Sequence, residues 1–388
     1  MRRRTYLDHA ATTPMMAPAV AAMTEQLTRV GNASSLHSSG RAARRVVEEG
    51  RELIAERVGA SPTELIFTSG GTEADNLALK GAYWSRVDPA RTEVVVSAVE
   101  HRAVLDSAAW LEEAAGARVR LLPVGPDGRV DPSTLTTEIT AQTGVVSLIW
   151  GNNEMGALQP VRQAAARATD CGAVSHSDAV QAVGHVGVDF GASGLDLLTF
   201  TAHKLGGPYG IGALLARRQV ALTAVQHGGG QERDVRSGTL DVAAVAGFAA
   251  AVAVATDTLA TEEQRVRALR DELVAAVRGC VPDVVVHGPS DPADRLPGIA
   301  NINFRGCVAD SILMLLDGAG VDCSTGSACS AGISQPSHVL MAMGQSVDQA
   351  RSSLRFSLGH SSTRADIVAL VGALPDAVAR ARSAAGVG

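Results

Sequence analysis

From about residue 41 to residue 260, stretches with apolar residues at helical spacing alternate with short runs of β-branched residues. Residues 41–58 carry apolar side chains every three to four positions, which predicts a helix, and the run Leu65-Ile66-Phe67-Thr68 that follows predicts a strand. Further strands are predicted at 94–96, 119–124, 145–150, 173–177 and 197–201. This alternation is typical of an α/β domain with a mainly parallel central sheet flanked by helices.

The pattern changes after Asp257. An amphipathic helix with apolar positions from Leu259 to Val277 comes first, and apolar runs follow at 284–286, 299–304 and 354–356. This part of the chain predicts a smaller α+β domain. We assign the large domain to residues 14–257, and the small domain, with a cysteine-containing loop at about 322–335, to residues 1–13 and 258–388.

The longest uncharged apolar run, from Val242 to Ala255, has about 14 residues, whereas a membrane-spanning helix needs about 20. It therefore predicts a buried helix. The basic residues Arg2, Arg3 and Arg4 are followed by polar residues instead of an apolar core, so no export signal is expected. Five cysteines without a C-x-x-C pair indicate a reducing compartment, and we predict a cytoplasmic protein.

Composition excludes several functional classes. The 388 residues are 46% hydrophobic and 19% charged, as in ordinary globular proteins. A formal net charge of -6 gives no electrostatic reason to expect direct binding to nucleic acid or to an anionic membrane. No metal site is predicted.

Asp178 and Lys204 each follow an apolar run, and they are the most informative pair in the chain. A lysine can hold the aldehyde of pyridoxal phosphate covalently, and an aspartate can keep the pyridine nitrogen protonated so that the ring accepts electrons. The alternative for Asp178 is a helix N-cap, and for Lys204 a solvated loop lysine. Burial of both at strand ends favours the cofactor, because an ionised carboxylate inside the sheet needs a cationic partner.

Other polar residues also follow predicted strands. Gly71 and Thr72 lie between a strand and a helical run, where free backbone N–H groups and a hydroxyl can bind phosphate, although glycine-rich turns are also common as purely structural features. His101 either stacks on a cofactor ring and moves protons or caps a helix. Asn153 either contacts a ligand or shapes its turn.

Cys329 lies in a stretch of small residues, Ser324-Thr325-Gly326-Ser327-Ala328-Cys329-Ser330, that lacks a hydrophobic period. This predicts a flexible loop with an accessible thiol. Cys171, Cys280 and Cys307 are better explained as inert buried side chains. Cys323, beside an apolar run, stays ambiguous.

These segments resemble the cysteine desulfurases, fold-type-I pyridoxal phosphate enzymes that remove sulfur from L-cysteine and leave alanine. The likeness covers nearly the whole chain, and its segments occur in one order. They are 6–14, 31–37, 68–76, 100–101, 152–154, 177–181, 202–204, 227–232, 236–239, 324–329 and 355–359.

The resemblance implies a role for each matching residue. Lys204 would bind the cofactor covalently and Cys329 would receive the sulfur, with His101 as a third catalytic residue that stacks on the ring. Asp178 would pair with the pyridine nitrogen, Gln181 with the ring hydroxyl, and Asn153 and Arg355 with cofactor and substrate carboxylate. The phosphate would be held by Gly71, Thr72, Thr201 and His203, and by Thr239 of the neighbouring subunit, so a homodimer is implied.

The resemblance also implies a sulfur-transfer mechanism. Lys204 would move the Cα proton, and the Cys329 thiolate would attack the substrate sulfur to give an enzyme persulfide. The cysteine loop is similar to that of the longer, mobile-loop class, which favours delivery to several protein acceptors. Relatives that supply iron–sulfur scaffolds often have a longer C-terminal tail than this chain, so iron–sulfur assembly, tRNA thiolation and DNA sulfur modification all stay open.

Three positions depart from the family pattern. Ala33 stands where proline is frequent, Ala202 where glycine is frequent, and Cys323 adds a second thiol six residues before Cys329. The first two substitutions are expected to be tolerated. Cys323 is expected to be an inert buried thiol, and the alternative is that it traps the persulfide as a disulfide.

Two other functions are compatible with these residues. A lyase for selenocysteine or another β-substituted amino acid would need Lys204 and Arg355 but not Cys329. A sulfur-relay platform that mainly recruits partners, with vestigial catalysis, would be colourless and would release no sulfide from cysteine and a reductant. The complete set of cofactor residues argues against the platform.

Overall fold

The computed structural model describes residues 4–326 and 335–386. The strands are β1 (Thr5–Tyr6), β2 (Leu65–Thr68), β3 (Glu93–Ser97), β4 (Arg118–Leu122), β5 (Thr143–Ser147), β6 (Val174–Asp178), β7 (Leu197–Thr201), β8 (Gly212–Ala216), β9 (Val284–His287), β10 (Ile299–Phe304), β11 (Val321–Asp322) and β12 (Ser353–Ser357).

Helices precede or follow most of these strands. They are α1 (Ala17–Leu27), α2 (Ser38–Arg57), α3 (Gly71–Ser85), α4 (Arg102–Ala115), α5 (Pro132–Glu138), α6 (Val161–Cys171), α7 (Phe190–Ser193), α8 (Val242–Asp257), α9 (Leu259–Cys280), α10 (Ala309–Gly318), α11 (His338–Ala342), α12 (Val347–Arg351) and α13 (Arg364–Ala384).

The largest sheet has the strand order β2-β8-β7-β6-β5-β3-β4. Strands β3 to β7 pair in parallel, whereas β8 lies antiparallel to both β2 and β7. The predicted α/β fold with a mainly parallel central sheet is therefore confirmed. Because β2 and β7 both oppose β8, the C-terminal ends of β2, β3, β5, β6 and β7 meet at the same edge of the sheet.

Helices cover both faces of this sheet, which is why its strands are apolar on both sides. Side chains alternate between the faces along each strand. Val94 and Val96 belong to the core that includes Leu77 of α3 and Val104 of α4. Val95, between them, belongs to the opposite core, which residues of α2, α6 and α8 complete.

A second, antiparallel sheet has the order β12-β10-β9. Its core is formed with α9, α10 and α13, and it also includes Leu7 from the start of the chain. The short strand β1 pairs in parallel with β11. Ala10, three residues after Leu7, packs into the core of the large sheet instead, so the N-terminal segment contacts both cores. The domain boundaries proposed from the sequence stay a prediction.

The predicted elements agree with the structure except in detail. Strands β4 and β5 end two and three residues before their predicted ends, and β8 was not predicted at all. The apolar run from Val242 lies in the mostly buried helix α8, as predicted. Helix α13 continues through Pro375.

Across the part of the chain that the structure describes, no single helix is long and apolar enough to cross a membrane. Helices α8 and α9 meet the criteria of length and composition only as a pair, and they are bent by 74° relative to each other.

Candidate active site

The ends of the parallel strands enclose a cavity of about 230 Å³. Parallel α/β sheets bind ligands at this edge, because polar loop residues and helix N-termini from several strands converge there. The lining residues are Gly71, Thr72, Asp75, His101, Ile149, Asn153, Asp178, Val180, Gln181, Thr201, His203 and Lys204. Most of the residues predicted from the sequence to bind a cofactor therefore lie around one cavity.

Lys204 lies in a 3-10 turn directly after β7. Its Nζ donates hydrogen bonds to the carbonyl oxygens of Ala10 and Ala11, at 2.6 and 2.7 Å. Burial, helped by the charge of Arg355, lowers the pKa of Lys204 to about 8, although the carboxylates of Asp8 and Asp178 oppose the shift. An amine with this pKa is available as a nucleophile or base at physiological pH far more often than a surface lysine is.

Asp178 is the last residue of β6, and only 3% of it is exposed. Burial raises the pKa of its carboxyl group, whereas His101, a hydrogen bond from the Val180 backbone and Lys204 all act to lower it. Its Oδ1 accepts from the Val180 N–H at 2.8 Å. This contact resembles an N-cap. However, the described residues directly after Asp178 form turns and not the helix that the N-cap interpretation requires.

His101 caps a helix and also lines the cavity, and its stacking on a cofactor ring stays a prediction. It is the N-cap of α4, where its Nδ1 accepts from the Ala103 N–H at 3.1 Å. It also lines the cavity, and its ring lies close enough to Asp178 to influence the pKa of that carboxyl group. The cap fixes the imidazole ring through Nδ1 and does not involve Nε2.

The turn from β2 into α3 has the geometry of an anion site. Gly70 adopts φ 153°, a conformation that side chains other than glycine rarely tolerate, and α3 begins at Gly71. The free N–H groups of this helix N-terminus and the Thr72 hydroxyl face the cavity side of the sheet. Glu73 fixes the turn by accepting from the Ser69 N–H at 2.6 Å and from Arg236 Nε at 2.7 Å.

Thr201 and His203 complete the wall beside this turn. Thr201 is buried at the end of β7, and its hydroxyl donates to the Ile211 carbonyl at 3.0 Å. Burial, together with the charge of Lys204, lowers the pKa of His203 to about 4, so this ring is neutral at physiological pH. The His203 ring stacks on Tyr209 with 5.8 Å between centroids.

Gln181 and the N-terminal segment hold the base of the site together. The Gln181 side-chain amide donates to the Ala10 carbonyl at 2.8 Å, the same oxygen that Lys204 contacts. One backbone oxygen therefore joins two residues that lie on different strand ends.

Arg355 approaches the site from β12 of the smaller sheet. Its Nη1 donates to the Asn153 carbonyl at 2.8 Å, and its Nη2 to Asp8 Oδ1 at 2.8 Å. Its Nε is buried and, within the described residues, has no hydrogen-bond partner. These contacts hold the guanidinium beside Asn153, which lines the cavity.

Two described residues of interest, Thr239 and Cys323, do not line the cavity. Thr239 is exposed and does not line the cavity, and its predicted contact with a neighbouring subunit stays a prediction. Cys329 lies outside the described residues. Burial and the carboxylates of Asp8 and Asp322 raise the pKa of Cys323 to about 12, which supports the interpretation of that thiol as inert.

Sequence reasoning missed Asp75, Asp8 and Glu154. Asp75 lies on α3 and lines the cavity, but in the sequence it is one polar residue of an ordinary helix. Asp8 was noted only as part of a segment, and its contact with Arg355 spans 347 residues. Glu154 is buried, its carboxylate accepts from the Ser337 hydroxyl, and burial raises its pKa to about 7. The one available signal for Glu154 was its place in the polar segment 152–154 that follows the predicted strand 145–150.

Comparisons with known proteins agree with this geometry. Residues 5–370 match the aminotransferase class-V family. The chain is similar to an IscS-like cysteine desulfurase of Mycobacterium tuberculosis, with 54% identity over 384 residues that cover 98% of each protein.

Two solved structures are similar over most of their length. A NifS-like protein from Rickettsia africae is 32% identical with a TM-score of 0.86, and the match covers 97% of this chain and 99% of that one. A structure described as SspA in complex with cysteine is 29% identical with a TM-score of 0.80, and the match covers 92% and 99%. The chain therefore belongs to the class-V aminotransferase family and, within it, to the cysteine desulfurases.

Proposed function

We propose that this chain is a cysteine desulfurase that uses pyridoxal 5′-phosphate to remove sulfur from L-cysteine, giving L-alanine and a persulfide on Cys329. One observation carries the proposal: the Lys204 amine, with its pKa lowered to about 8, and the buried carboxylate of Asp178 line the same cavity. The similar protein of Mycobacterium tuberculosis described above is named for this activity.

The residues present fit the cofactor. Among the described residues, the hydrogen-bond donor to the Asp178 carboxylate is a single backbone N–H, so a protonated pyridine nitrogen would supply the cation that this buried group needs. Lys204 would hold the cofactor covalently, His101 would stack on its ring and Gln181 would bind its hydroxyl. The phosphate would be held by Gly71, Thr72, Thr201 and His203. When bound, the cofactor supplies an electron-withdrawing ring that makes the substrate Cα–H acidic.

Lys204 is suited to moving the Cα proton. Its pKa of about 8 means that raising the pH through this value increases the fraction of neutral amine, which is the form that accepts a proton. The Ala10 and Ala11 carbonyls hold Nζ in place at the wall of the cavity.

Arg355 is the proposed site of the substrate carboxylate, together with Asn153. Asp8 and the Asn153 carbonyl fix the guanidinium plane, so the arginine is held in place before substrate arrives. The solved neighbour described with bound cysteine supports an amino acid of this class as the substrate.

Cys329 is the proposed sulfur acceptor. Its Sγ would form a bond to the substrate sulfur as the carbon–sulfur bond of cysteine breaks, and Cβ would take up a proton to complete alanine. The products, alanine and a persulfide, balance one cysteine and one thiol without an external oxidant or reductant. The loop class and the identity of the acceptor protein stay predictions.

The test is to incubate the purified protein with L-cysteine, quantify alanine and locate the persulfide by mass spectrometry. Alanine production with a persulfide on Cys329 is expected. The Cys329→Ser variant should form no alanine from cysteine, whereas the matched control Cys323→Ser should keep wild-type activity. Alanine formation by Cys329→Ser at the wild-type rate would indicate a lyase for selenocysteine or another β-substituted amino acid. A colourless wild-type protein that forms no alanine would indicate a relay platform.

A further inference from the structure

Asp75 is a buried carboxyl group next to the predicted cofactor carboxylate. It lies on α3, only 1% of it is exposed, and it lines the same cavity as Asp178. One oxygen each of Asp75 and Asp178 and one nitrogen of His101 all lie within 4.8 Å of one another. Within the described residues, Asp75 Oδ1 has no hydrogen-bond partner.

Apart from His101, which lies beside both carboxyl groups, the titratable groups that face Asp75 do not supply a cation. His176 Nε2 lies 3.6 Å from Asp75 Oδ1, but burial lowers the pKa of His176 to about 3, so that ring is neutral. Glu100 is also nearby, and burial raises its pKa to about 8, so it is mostly protonated at neutral pH. Two ionised carboxylates this close together in a buried site would repel each other strongly.

His176 is held in place by neighbours that are themselves uncharged. Its Nδ1 is hydrogen-bonded to the Ser147 hydroxyl at 2.8 Å, and its Nε2 to the Thr199 hydroxyl at 3.0 Å. Both ring nitrogens are therefore occupied by hydroxyl groups, and the ring does not have to become charged to satisfy them.

The two carboxyl groups differ in what surrounds them. Asp178 accepts a backbone hydrogen bond from Val180, and it is close to the positive charge of Lys204 and to His101. Asp75 shares the neighbouring His101, but burial together with the Asp178 charge raises its pKa well above the usual value. When one proton has to be retained by the pair, Asp75 is the residue that retains it.

We propose that Asp75 is a positioning residue that stays protonated beside Asp178, so that the pair carries a single negative charge. The inference deepens the proposed function, because it rests on Asp178 as the partner of the pyridine nitrogen. In the loaded protein, the single negative charge of the pair would balance the positive charge of the protonated pyridine nitrogen. A second negative charge at Asp75 would leave the buried site with an unbalanced charge in the loaded protein.

The test is infrared spectroscopy of the full-length protein at neutral pH, with and without cofactor. A protonated carboxyl group has a carbonyl band that a carboxylate lacks. We expect such a band in wild type, and we expect it to shift when aspartate is labelled with a heavy carbon isotope. The band of Glu100 would not shift, so the labelling distinguishes the two residues. Asp75→Asn should remove the aspartate band, and the exposed control Asp170→Asn should leave it unchanged. The absence of the band from wild type, or its persistence in Asp75→Asn, would overturn the proposal.

A second variant tests the coupling. In Asp178→Asn the neighbouring negative charge is gone, so the Asp75 band should disappear at a lower pH than in wild type. An unchanged titration would contradict the proposed pair. This measurement and the isotope-labelled wild-type spectrum also decide the question if Asp75→Asn does not fold.

Cofactor titration separates this proposal from the proposed function. Asp75→Asn replaces a neutral acid by a neutral amide, so its Kd for pyridoxal phosphate should stay close to that of wild type. Asp178→Asn should raise the Kd by at least about tenfold, since it removes a buried charge partner. An equal loss in both variants would mean that Asp75 carries charge in the complex. If wild type itself does not bind the cofactor, the proposed function fails, while the infrared result still decides the protonation of Asp75.

Discussion

At the scale of single residues, burial at a strand end explains most of the site. Asp178 and Lys204 could be found from the sequence because each follows an apolar strand, where a charged side chain is costly without a partner. Asp75 could not be found in this way, because a polar residue in an amphipathic helix gives no sign of which face it occupies. Its burial depends on how α3 packs on the sheet, and that is a tertiary property.

Lys204 is one of only two lysines in the chain, and the other is Lys80 on α3. Borohydride reduction of the cofactor-loaded protein should attach pyridoxal phosphate to Lys204 alone, because its lowered pKa and its place in the cavity make it the reactive amine. Peptide mapping checks the position. Lys204→Arg should lose both the colour and the adduct, whereas Lys80→Arg should keep both, and an adduct on Lys80 in wild type would contradict the assignment.

Glu154 should make stability depend on pH. Burial raises its pKa from 4.5 to about 7, so the folded state binds a proton that the unfolded state releases. The stabilisation that comes from this bound proton is therefore complete at low pH. It is lost as the pH rises from 4.5 to about 7.

Glu154→Gln should remove this dependence and stabilise the protein at alkaline pH by up to roughly 3 kcal/mol, since the amide cannot ionise and still accepts from Ser337. Chemical denaturation below and above the transition measures the difference. The exposed substitution Glu49→Gln is the control, and the same pH dependence in Glu154→Gln as in wild type would disprove the assignment.

At the scale of elements, the sheet positions the site by bringing strand ends together. The sequence predicted the parallel strands, because each is a short apolar run between helices. It did not reveal β8, because Gly212 to Ala216 is short, rich in small residues and follows a glycine-containing turn. Nevertheless β8 lies between β2 and β7 and sets the distance between Thr72 and Lys204.

Gly212 shows how closely β8 supports the anion-binding turn. A Cβ at this position would lie 2.8 Å from backbone atoms of Gly70. Gly212→Ala should therefore displace the turn, weaken cofactor binding and lower the free energy of unfolding by about 1–3 kcal/mol. Gly187→Ala, where a Cβ would meet nothing within 4 Å, is the matched control. Cofactor titration and denaturation check both, and equal behaviour of the two variants would disprove the role of this contact.

At the scale of the whole molecule, the proposed homodimer determines where Thr239 acts. Thr239 is exposed and does not line the cavity of its own chain, and its action in a neighbouring subunit stays a prediction. The sequence predicted this only through the family resemblance, because no local pattern indicates that a residue will act in a neighbouring chain.

Mixed dimers test this assignment. Lys204→Ala and Thr239→Val homodimers should each be impaired, since every site lacks either its covalent lysine or a phosphate ligand. A heterodimer of the two variants should regain one intact site, because the Thr239→Val subunit keeps Lys204 and receives Thr239 from its partner. Activity after subunit exchange measures the recovery. Failure to regain activity in verified heterodimers would mean that Thr239 does not act across the interface.

The N-terminal segment has a consequence for how the protein is made. Thr5 pairs with Val321, and Asp8 binds Arg355, so this segment reaches its final position only after residue 355 has left the ribosome. The Ala10 and Ala11 carbonyls that hold Lys204 belong to the same segment. The central sheet can form earlier in synthesis, but the pocket at its edge is completed by the first and last parts of the chain together. A nascent chain that still lacks β12 therefore has no finished site.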